Sequence, residues 1–349
     1  MHADSSLARD RIRGCLLAGA LGDALGAALV FMSLQEIRQV FGANGCRELR
    51  PAYGRIGALT DDTQMTLFSA EGLLRARTRF ANKGICHPPS MIHAALLRWL
   101  LTQGESAPLV KLDGWLIQRQ ELFARRAPGN TCLSALRSAR AFGELARNQS
   151  KGCGALMRIA PIGLMLRDPD DAYTLAFESA QTTHGHVTST LASGCFAFAI
   201  CSLLSGSTLL EALQAARAKL ERASDHAELR AALDFALDLS RSDVEARPET
   251  VERLGGGWIA EEALAIAAFC ALRAQSFEHG LLLAANHSGD SDSTASMTGQ
   301  LLGAAWGCGA LPERWLVELE LRDVVERIAQ DLADCREGMR VDEARYPGW

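Results

Sequence analysis

Apolar residues in this chain recur at helical spacing over most of its length, and that pattern limits the fold more than any other feature. The segment Ser90–Leu101 sets Met91, Ala94, Ala95, Leu97, Trp99 and Leu100 on its apolar side, the three-to-four-residue recurrence of an amphipathic helix. Thr131–Leu145, Ala172–Thr182, Val187–Leu204, Thr208–Ala223, Ala227–Leu239, Glu261–Ala274 and Leu316–Leu332 read the same way. Alternating β-branched and aromatic residues are nearly absent, and aromatics make up only 6% of the chain, so little in it favours strands. No motif recurs with a period of 20–50 residues, which removes a solenoid. The breaks between helical segments are short and none resembles a flexible linker. The expectation is one compact all-α domain over residues 1–349, with its motif-bearing core at about 11–335.

Charge and cysteine usage narrow the class. A net charge of −5 gives no bulk reason to expect nucleic acid or a membrane surface as partner. The ten cysteines contain no C-x-x-C pair and several sit in apolar runs, the pattern of buried free thiols in a reducing cytoplasm. Met1–Asp10 mixes charged residues into the start of the chain, unlike a signal peptide. The run Cys15–Met32 is apolar enough to raise a membrane span, but Asp23 interrupts it and Gly19, Gly22 and Gly26 recur at small-residue spacing. A buried helix with close packing and one capped or functional Asp fits better.

Two stretches carry the densest polar chemistry. Ser288-Gly289-Asp290-Ser291-Asp292-Ser293-Thr294-Ala295-Ser296 precedes an apolar helical run, and so does Thr60-Asp61-Asp62-Thr63-Gln64. Either alone reads as a helix cap with dipole-compatible carboxylates. The Asp290 stretch is a poor EF-hand, since the sixth and twelfth positions counted from Asp290 are Ala295 and Leu301. Brought together, four carboxylates would repel strongly. A pair of divalent cations would relieve that, and hard oxygen donors suit Mg²⁺, Mn²⁺ or Ca²⁺. Spacing alone does not bring them together.

Three further stretches are weaker. Lys151-Gly152-Cys153-Gly154-Ala155-Leu156-Met157-Arg158 has a Gly-x-Gly turn before an apolar run. Such a turn suits phosphate with a helix N-terminus behind it, or is a plain turn with Arg158 in a salt bridge. His184 and His186, two apart, do not share a helix face. Gly255-Gly256-Gly257-Trp258 offers a flexible turn and a ring that would stack on a base or fill core.

As an ordered set these pieces resemble the ADP-ribosylglycohydrolase family. The matching segments are Gly22-Asp23-Ala24-Leu25-Gly26, Leu59-Thr60-Asp61-Asp62-Thr63, Gly152-Cys153-Gly154-Ala155-Leu156-Met157-Arg158, Thr183-His184 and Ser288-Gly289-Asp290-Ser291-Asp292-Ser293. The resemblance implies an all-α orthogonal bundle and a binuclear Mg²⁺ or Mn²⁺ site held by Thr60, Asp61, Asp62, Asp290, Asp292 and Ser293. It implies that Lys151, Gly152, Cys153, Gly154, Ala155, Leu156 and Met157 hold the phosphates and ribose of ADP-ribose, that His184 contacts the ligand, and that Trp258 lines the adenine end.

The chain departs from the family pattern after the first glycine helix. Relatives commonly carry a Glu there; this chain has Val30, before Phe31-Met32-Ser33. Glu36 is the next carboxylate. A further Asp that some relatives place in the region of Arg126–Thr131 is absent too.

The expected function is hydrolysis of the N-glycosidic bond between ADP-ribose and a protein side chain, most readily arginine, with Asp61, Asp62 or Asp292 in catalysis. The alternative motivated by Val30 is a catalytically weakened protein that binds ADP-ribose or blocks an ADP-ribosyltransferase. A third reading, a protein that kept the fold alone, sits poorly with two complete acidic clusters.

Overall fold

The computed structural model describes residues 2–348. It contains sixteen α-helices and no strand among the described residues. In chain order they are α1 (His2–Gly26), α2 (Leu34–Phe41), α3 (Asp61–Lys83), α4 (Pro88–Thr102), α5 (Asn130–Ser138), α6 (Ala160–Met165), α7 (Pro169–Ala180) and α8 (Val187–Leu204). They continue with α9 (Leu209–Lys219), α10 (Ala227–Arg241), α11 (Pro248–Val251), α12 (Ala260–Arg273), α13 (Phe277–Ala285), α14 (Ser291–Trp306), α15 (Glu313–Glu318) and α16 (Arg322–Arg336). The all-α expectation is met.

The centre of the bundle is the pair α1 and α14, which run against each other and are flanked by α13 and α16. Their glycines explain the closeness. A Cβ on Gly22 would lie 2.1 Å from the Ala295 carbonyl oxygen, and one on Gly26 would lie 2.3 Å from the Asp292 nitrogen. A Cβ on Gly299 of α14 would in turn meet the Ala18 oxygen at 2.1 Å. Backbone therefore packs on backbone, and the C-terminal end of α1 touches the N-terminal turn of α14. Most of the apolar run that raised a membrane span is thus in the central helix of the bundle, buried from Cys15 to Gly26. Only α8, among the described helices, is long and apolar enough to cross a membrane, and 83% of it is buried inside the protein.

Two expected helices are shorter than their apolar pattern. The helix expected over Thr131–Leu145 stops at Ser138. The chain beyond it turns because the Glu144 carboxylate accepts from the Arg140 N–H (2.7 Å) and His93 Nδ1 accepts from the Gly143 N–H (2.8 Å). The helix expected over Leu316–Leu332 is split into α15 and α16. At the break Leu321 takes a left-handed φ of +53°, and the Glu320 N–H donates to the Gly57 carbonyl at 3.0 Å. That turn sends the Glu320 carboxylate inward, where Arg126 meets it. All ten cysteines are free thiols, and only Cys86 and Cys308 are less than fully buried.

Candidate functional site

The first acidic cluster starts α3. Thr60 has an extended backbone and its Oγ1 accepts from the Asp62 N–H at 3.3 Å, an ordinary N-cap. A second cap comes from another helix. Asp23, in the last turn of α1, accepts from the Thr60 hydroxyl (2.7 Å), the Thr60 N–H (3.0 Å) and the Thr63 N–H (3.1 Å). The sequence left Asp23 open between a cap and a functional residue; it caps its neighbour, α3. Burial, and then the charge of Asp292, push its carboxyl up to about 7. Asp61 accepts from the Gly129 N–H at 3.3 Å.

The second cluster starts α14 and is held differently. Asp290 occupies the N-cap position without a side-chain cap bond. Its carboxylate takes the Cys153 thiol at 2.8 Å and lies within hydrogen-bonding reach of Asp292. Asp292 accepts from the Ser293 N–H at 3.1 Å, and the Thr60 hydroxyl is also within its reach. The loop is tied down by its backbone: the Asp290 N–H donates to the Gly256 carbonyl at 2.8 Å. The Gly256 and Gly257 N–H groups in turn donate to Glu262 at 3.0 and 3.1 Å.

The two clusters, distant in sequence, therefore meet, and α1 is the intermediary. Its Asp23 grips α3 while its Gly26 seats α14. Asp61, Asp62, Asp290, Asp292 and Ser293 line one cavity with Gly152, Cys153, Gly154, Met157, His184 and Trp258. Four residues anticipated for the site are not in that lining. Thr60 lies behind it on Asp23. The Lys151 ammonium is held by Glu228 (2.8 Å) and Glu261. Ala155 and Leu156 are fully buried in the core beneath the glycine turn. A larger cavity of about 450 Å³, lined by Arg38, Arg47, Arg247 and His279 among others, contains none of the acidic motifs.

Burial, and then the Asp292 charge, hold Asp61, Asp62 and Asp290 well above the usual carboxylate range. Burial raises Asp292 as well. The lining contains no Lys or Arg among the described residues, so no side-chain cation balances the cluster from within. Asp62 Oδ1 is buried and has no hydrogen-bond partner. Buried carboxylates and a hydroxyl are the donor chemistry of Mg²⁺ and Mn²⁺, and an orphan carboxylate oxygen suits such an ion. No three Asp, Glu, His or Cys side chains among the described residues form a ready-made cage, so the fit rests on donor type.

The wall opposite is the Gly-x-Gly turn. Cys153–Ala155 forms a short 3₁₀ turn and α6 begins only at Ala160, so the helix N-terminus anticipated directly behind the glycines is not there. The turn is fixed by pairing instead: Gly152 bridges Ile259, and the Cys153 N–H donates to the Trp258 carbonyl at 3.2 Å. His184 packs behind it, with Nε2 3.2 Å from where a Gly152 Cβ would sit. Burial, and then the Arg158 charge, push this imidazole down to about 3, so it is neutral at pH 7. Arg158 makes no salt bridge among the described residues; it donates to the Gly154 carbonyl (3.2 Å) and the Thr183 hydroxyl (3.0 Å).

The mouth pairs the anticipated Trp258 with a ring the sequence did not single out. Phe31 and Trp258 stack there with centroids 6.1 Å apart and planes 15° from parallel; they are 75% and 47% exposed. Exposed stacked rings are an amphipathic surface for a planar ligand. The only sequence signal for Phe31 was its place after Val30. The segment 127–132 supplies Gly129, Asn130, Thr131 and Cys132 to the wall. Val30 is buried in the lining. Glu36 is not in it: its carboxylate accepts from the Ser33 N–H (2.8 Å) and hydroxyl (2.7 Å) as the capping box of α2.

Comparison with known proteins gives the family. The chain is 26% identical to the ADP-ribosyl-[dinitrogen reductase] glycohydrolase of Rhodospirillum rubrum over 91% of its own length and 92% of that protein. It is 25% identical to the ADP-ribosylarginine hydrolase Tri1 of Serratia proteamaculans, over 93% of this chain and 79% of the relative. A solved structure titled as an ADP-ribosylglycohydrolase-related protein complex superposes with a TM-score of 0.70 at 29% identity, covering 96% of this chain and 100% of the other. Residues 4–341 match the family model of ADP-ribosylglycohydrolase, and the chain belongs to that family.

Proposed function

We propose that this protein hydrolyses the N-glycosidic bond between ADP-ribose and a protein arginine, using two Mg²⁺ or Mn²⁺ ions. The observation that carries the reading is the meeting of the two acidic clusters in one cavity beside the Gly152–Gly154 turn. Asp61, Asp62, Asp290, Asp292 and Ser293, which line the cavity, would hold the ions, with Thr60 behind them on Asp23 keeping the first cluster in place. When bound, such ions would supply positive charge to stabilise the sugar as its C1 bond breaks. The Gly152–Gly154 turn, which lines the same cavity, faces the phosphates, and Trp258 with Phe31 takes the adenine face. One of Asp61, Asp62 and Asp292 accepts the proton of the attacking water. The water oxygen bonds to C1, the C1–N bond breaks, and the arginine side chain leaves carrying a proton. Arginine is favoured by the likeness to a relative named for that linkage. The ten free thiols support a reducing cytoplasm as its place of work.

The test is release of ADP-ribose from an arginine-ADP-ribosylated protein, with Mg²⁺ or Mn²⁺ and after chelation. Metal-dependent release is expected. No release at any metal concentration, with ADP-ribose still binding by calorimetry, would establish the second reading instead. That reading, a weakened ADP-ribose-binding or transferase-blocking protein, is favoured by Val30, which puts an apolar side chain in the lining. Glu36 does not replace the missing carboxylate, being occupied by Ser33. Val30→Glu separates the two: a rise in turnover of about a hundredfold or more, the low end for a general acid–base group, marks this position as limiting. Unchanged turnover marks the wild-type site as complete without it.

A further inference from the structure

Four residues other than glycine have a left-handed φ among the described residues: Tyr53 (+50°), Ala127 (+52°), Asp225 (+55°) and Leu321 (+53°). Three of them converge on one buried ion pair. Arg126, directly before Ala127, meets Glu320, directly before Leu321, through both guanidinium nitrogens, with NH2 to Oε1 at 3.0 Å. The Tyr53 ring lies 5.9 Å from the same guanidinium. Arg55 adds a second cation to Glu320 at 3.1 Å. Non-glycine residues in this conformation are strained and persist where the surroundings hold them. Strain gathered at one pair calls for a role.

The pair grips the peptide before the first acidic cluster from both sides. Glu320 accepts from the Leu59 N–H at 3.0 Å, and Arg126 NH1 donates to the Leu59 carbonyl at 2.9 Å. The Arg126 carbonyl then accepts from the Asp61 N–H at 3.2 Å. Three residues on, the Gly129 N–H donates to the Asp61 carboxylate. Leu59, Arg126 and Glu320 are all buried. The geometry points to Arg126 and Glu320 as positioning residues: a strained clamp that fixes Thr60, Asp61 and Asp62 and the adjoining 127–131 wall in the geometry the site needs. This rests on the proposed reading for its link to metal, but the clamp itself is a statement about the backbone at Leu59–Asp61. A buried pair is weak evidence for stability, since desolvation offsets its attraction. A job in holding geometry accounts for it better.

The experiment uses the full chain and three variants, Arg126→Lys, Glu320→Gln and, as a control, Asp331→Asn. Asp331 bonds Tyr346 (2.7 Å) and Arg345 (2.9 Å) and is absent from the cavity lining. Amide hydrogen exchange is followed by peptide, and Mn²⁺ affinity by calorimetry. In Arg126→Lys and Glu320→Gln, exchange is expected to rise about tenfold or more in peptides covering 57–63 and 126–131, with the rest of the bundle unchanged. Mn²⁺ affinity is expected to fall by about 10- to 100-fold, the usual effect of losing an outer-shell partner. Asp331→Asn should loosen its own neighbourhood and leave both readouts at wild-type values. Wild-type exchange at 57–63 in both clamp variants, or a uniform rise everywhere, overturns the clamp. So does lost protection at 57–63 with wild-type Mn²⁺ affinity, because the pair would then be structural only. A wild-type protein that binds no Mn²⁺ would sink the metal reading, and the exchange data would then decide the clamp alone.

Discussion

The two acidic clusters read alike in sequence and are built on opposite physical principles. Thr60–Asp62 is held by charged groups from distant parts of the chain. Asp23 takes its first amides, and Glu320 with Arg126 takes the peptide before it. Asp290–Ser293 itself is held by hydroxyls and by backbone fit, with the carboxylates of Glu252 and Glu262 acting one step away, on Ser288 and on the Gly256–Gly257 turn. The Thr294 hydroxyl reaches the Asp290 carbonyl (2.7 Å) and His287 Nε2 (2.9 Å), and the Ser288 hydroxyl meets Glu252 at 2.6 Å. The Asp292 backbone lies where a Gly26 Cβ would be. The difference is one of tolerance. The first cluster should be sensitive to loss of charge at constant shape, the second to added volume at constant charge.

Gly26→Ala is the strongest way to break that contrast. The new methyl would lie 2.3 Å from the Asp292 nitrogen and 2.4 Å from its Cα, and backbone cannot rotate aside as a side chain does. Overpacking of this kind costs about 1–3 kcal/mol, occasionally more, while helix propensity returns at most about 1 kcal/mol. Sterics wins, and a net loss of about 2 kcal/mol is expected in denaturant unfolding. Mn²⁺ affinity should fall with it, because α14 and its carboxylates must shift away from α3. A variant as stable as wild type would show that α1 does not seat the second cluster.

Much of this was visible in the sequence, for reasons that can be named. Helix existence came through because Ala and Leu repeat at one period, and α8 runs over the same residues as its apolar pattern. Helix ends came through less well. The split at Leu319–Leu321 is imposed by Glu320, and its partner, Arg126, is remote in sequence. Gly22 and Gly26 announced close packing without saying against what. The meeting of Asp61 with Asp292 needed that missing partner, which is the backbone of α14. Asp62, Asp290 and Asp292 were recognisable from their motifs. Phe31 and the 127–132 wall were not, because exposed rings and short loops carry no periodic signal. Lys151 shows the reverse error: a cation beside a glycine turn suggests a phosphate ligand, yet Glu228 and Glu261 already hold it.

Asp23→Asn tests the charge-held side of the contrast, with a smaller expected effect. Asparagine keeps the shape and one acceptor oxygen. Its amide oxygen can keep the Thr60 and Thr63 N–H bonds that Oδ2 accepts, but its NH2 group then faces the Thr60 N–H and hydroxyl, which both donate to Oδ1 (3.1 and 2.7 Å). Losing an acceptor for buried N–H groups costs about 1–3 kcal/mol, and α3 also loses a negative charge at its positive end. The same change removes one carboxyl that Asp292 repels, which offsets part of the cost. The expected result is a stability loss of about 1 kcal/mol, with faster amide exchange at Thr60 and Thr63 and unchanged exchange in α14.

Thr294→Val is the matched change on the other side, and the smallest. It is isosteric and deletes a hydroxyl that bonds Asp290, His287 and the Ala284 carbonyl. It should cost about 1 kcal/mol or less, since a net hydrogen bond contributes about 0.5–1.5 kcal/mol and the seat on Gly26 remains. Exchange should rise in the 288–294 loop and stay unchanged at Thr60 and Thr63. If Thr294→Val loosened α3, or Asp23→Asn loosened the loop, the clusters would be one cooperative unit. Independent responses would establish two separately built halves that α1 brings to one cavity.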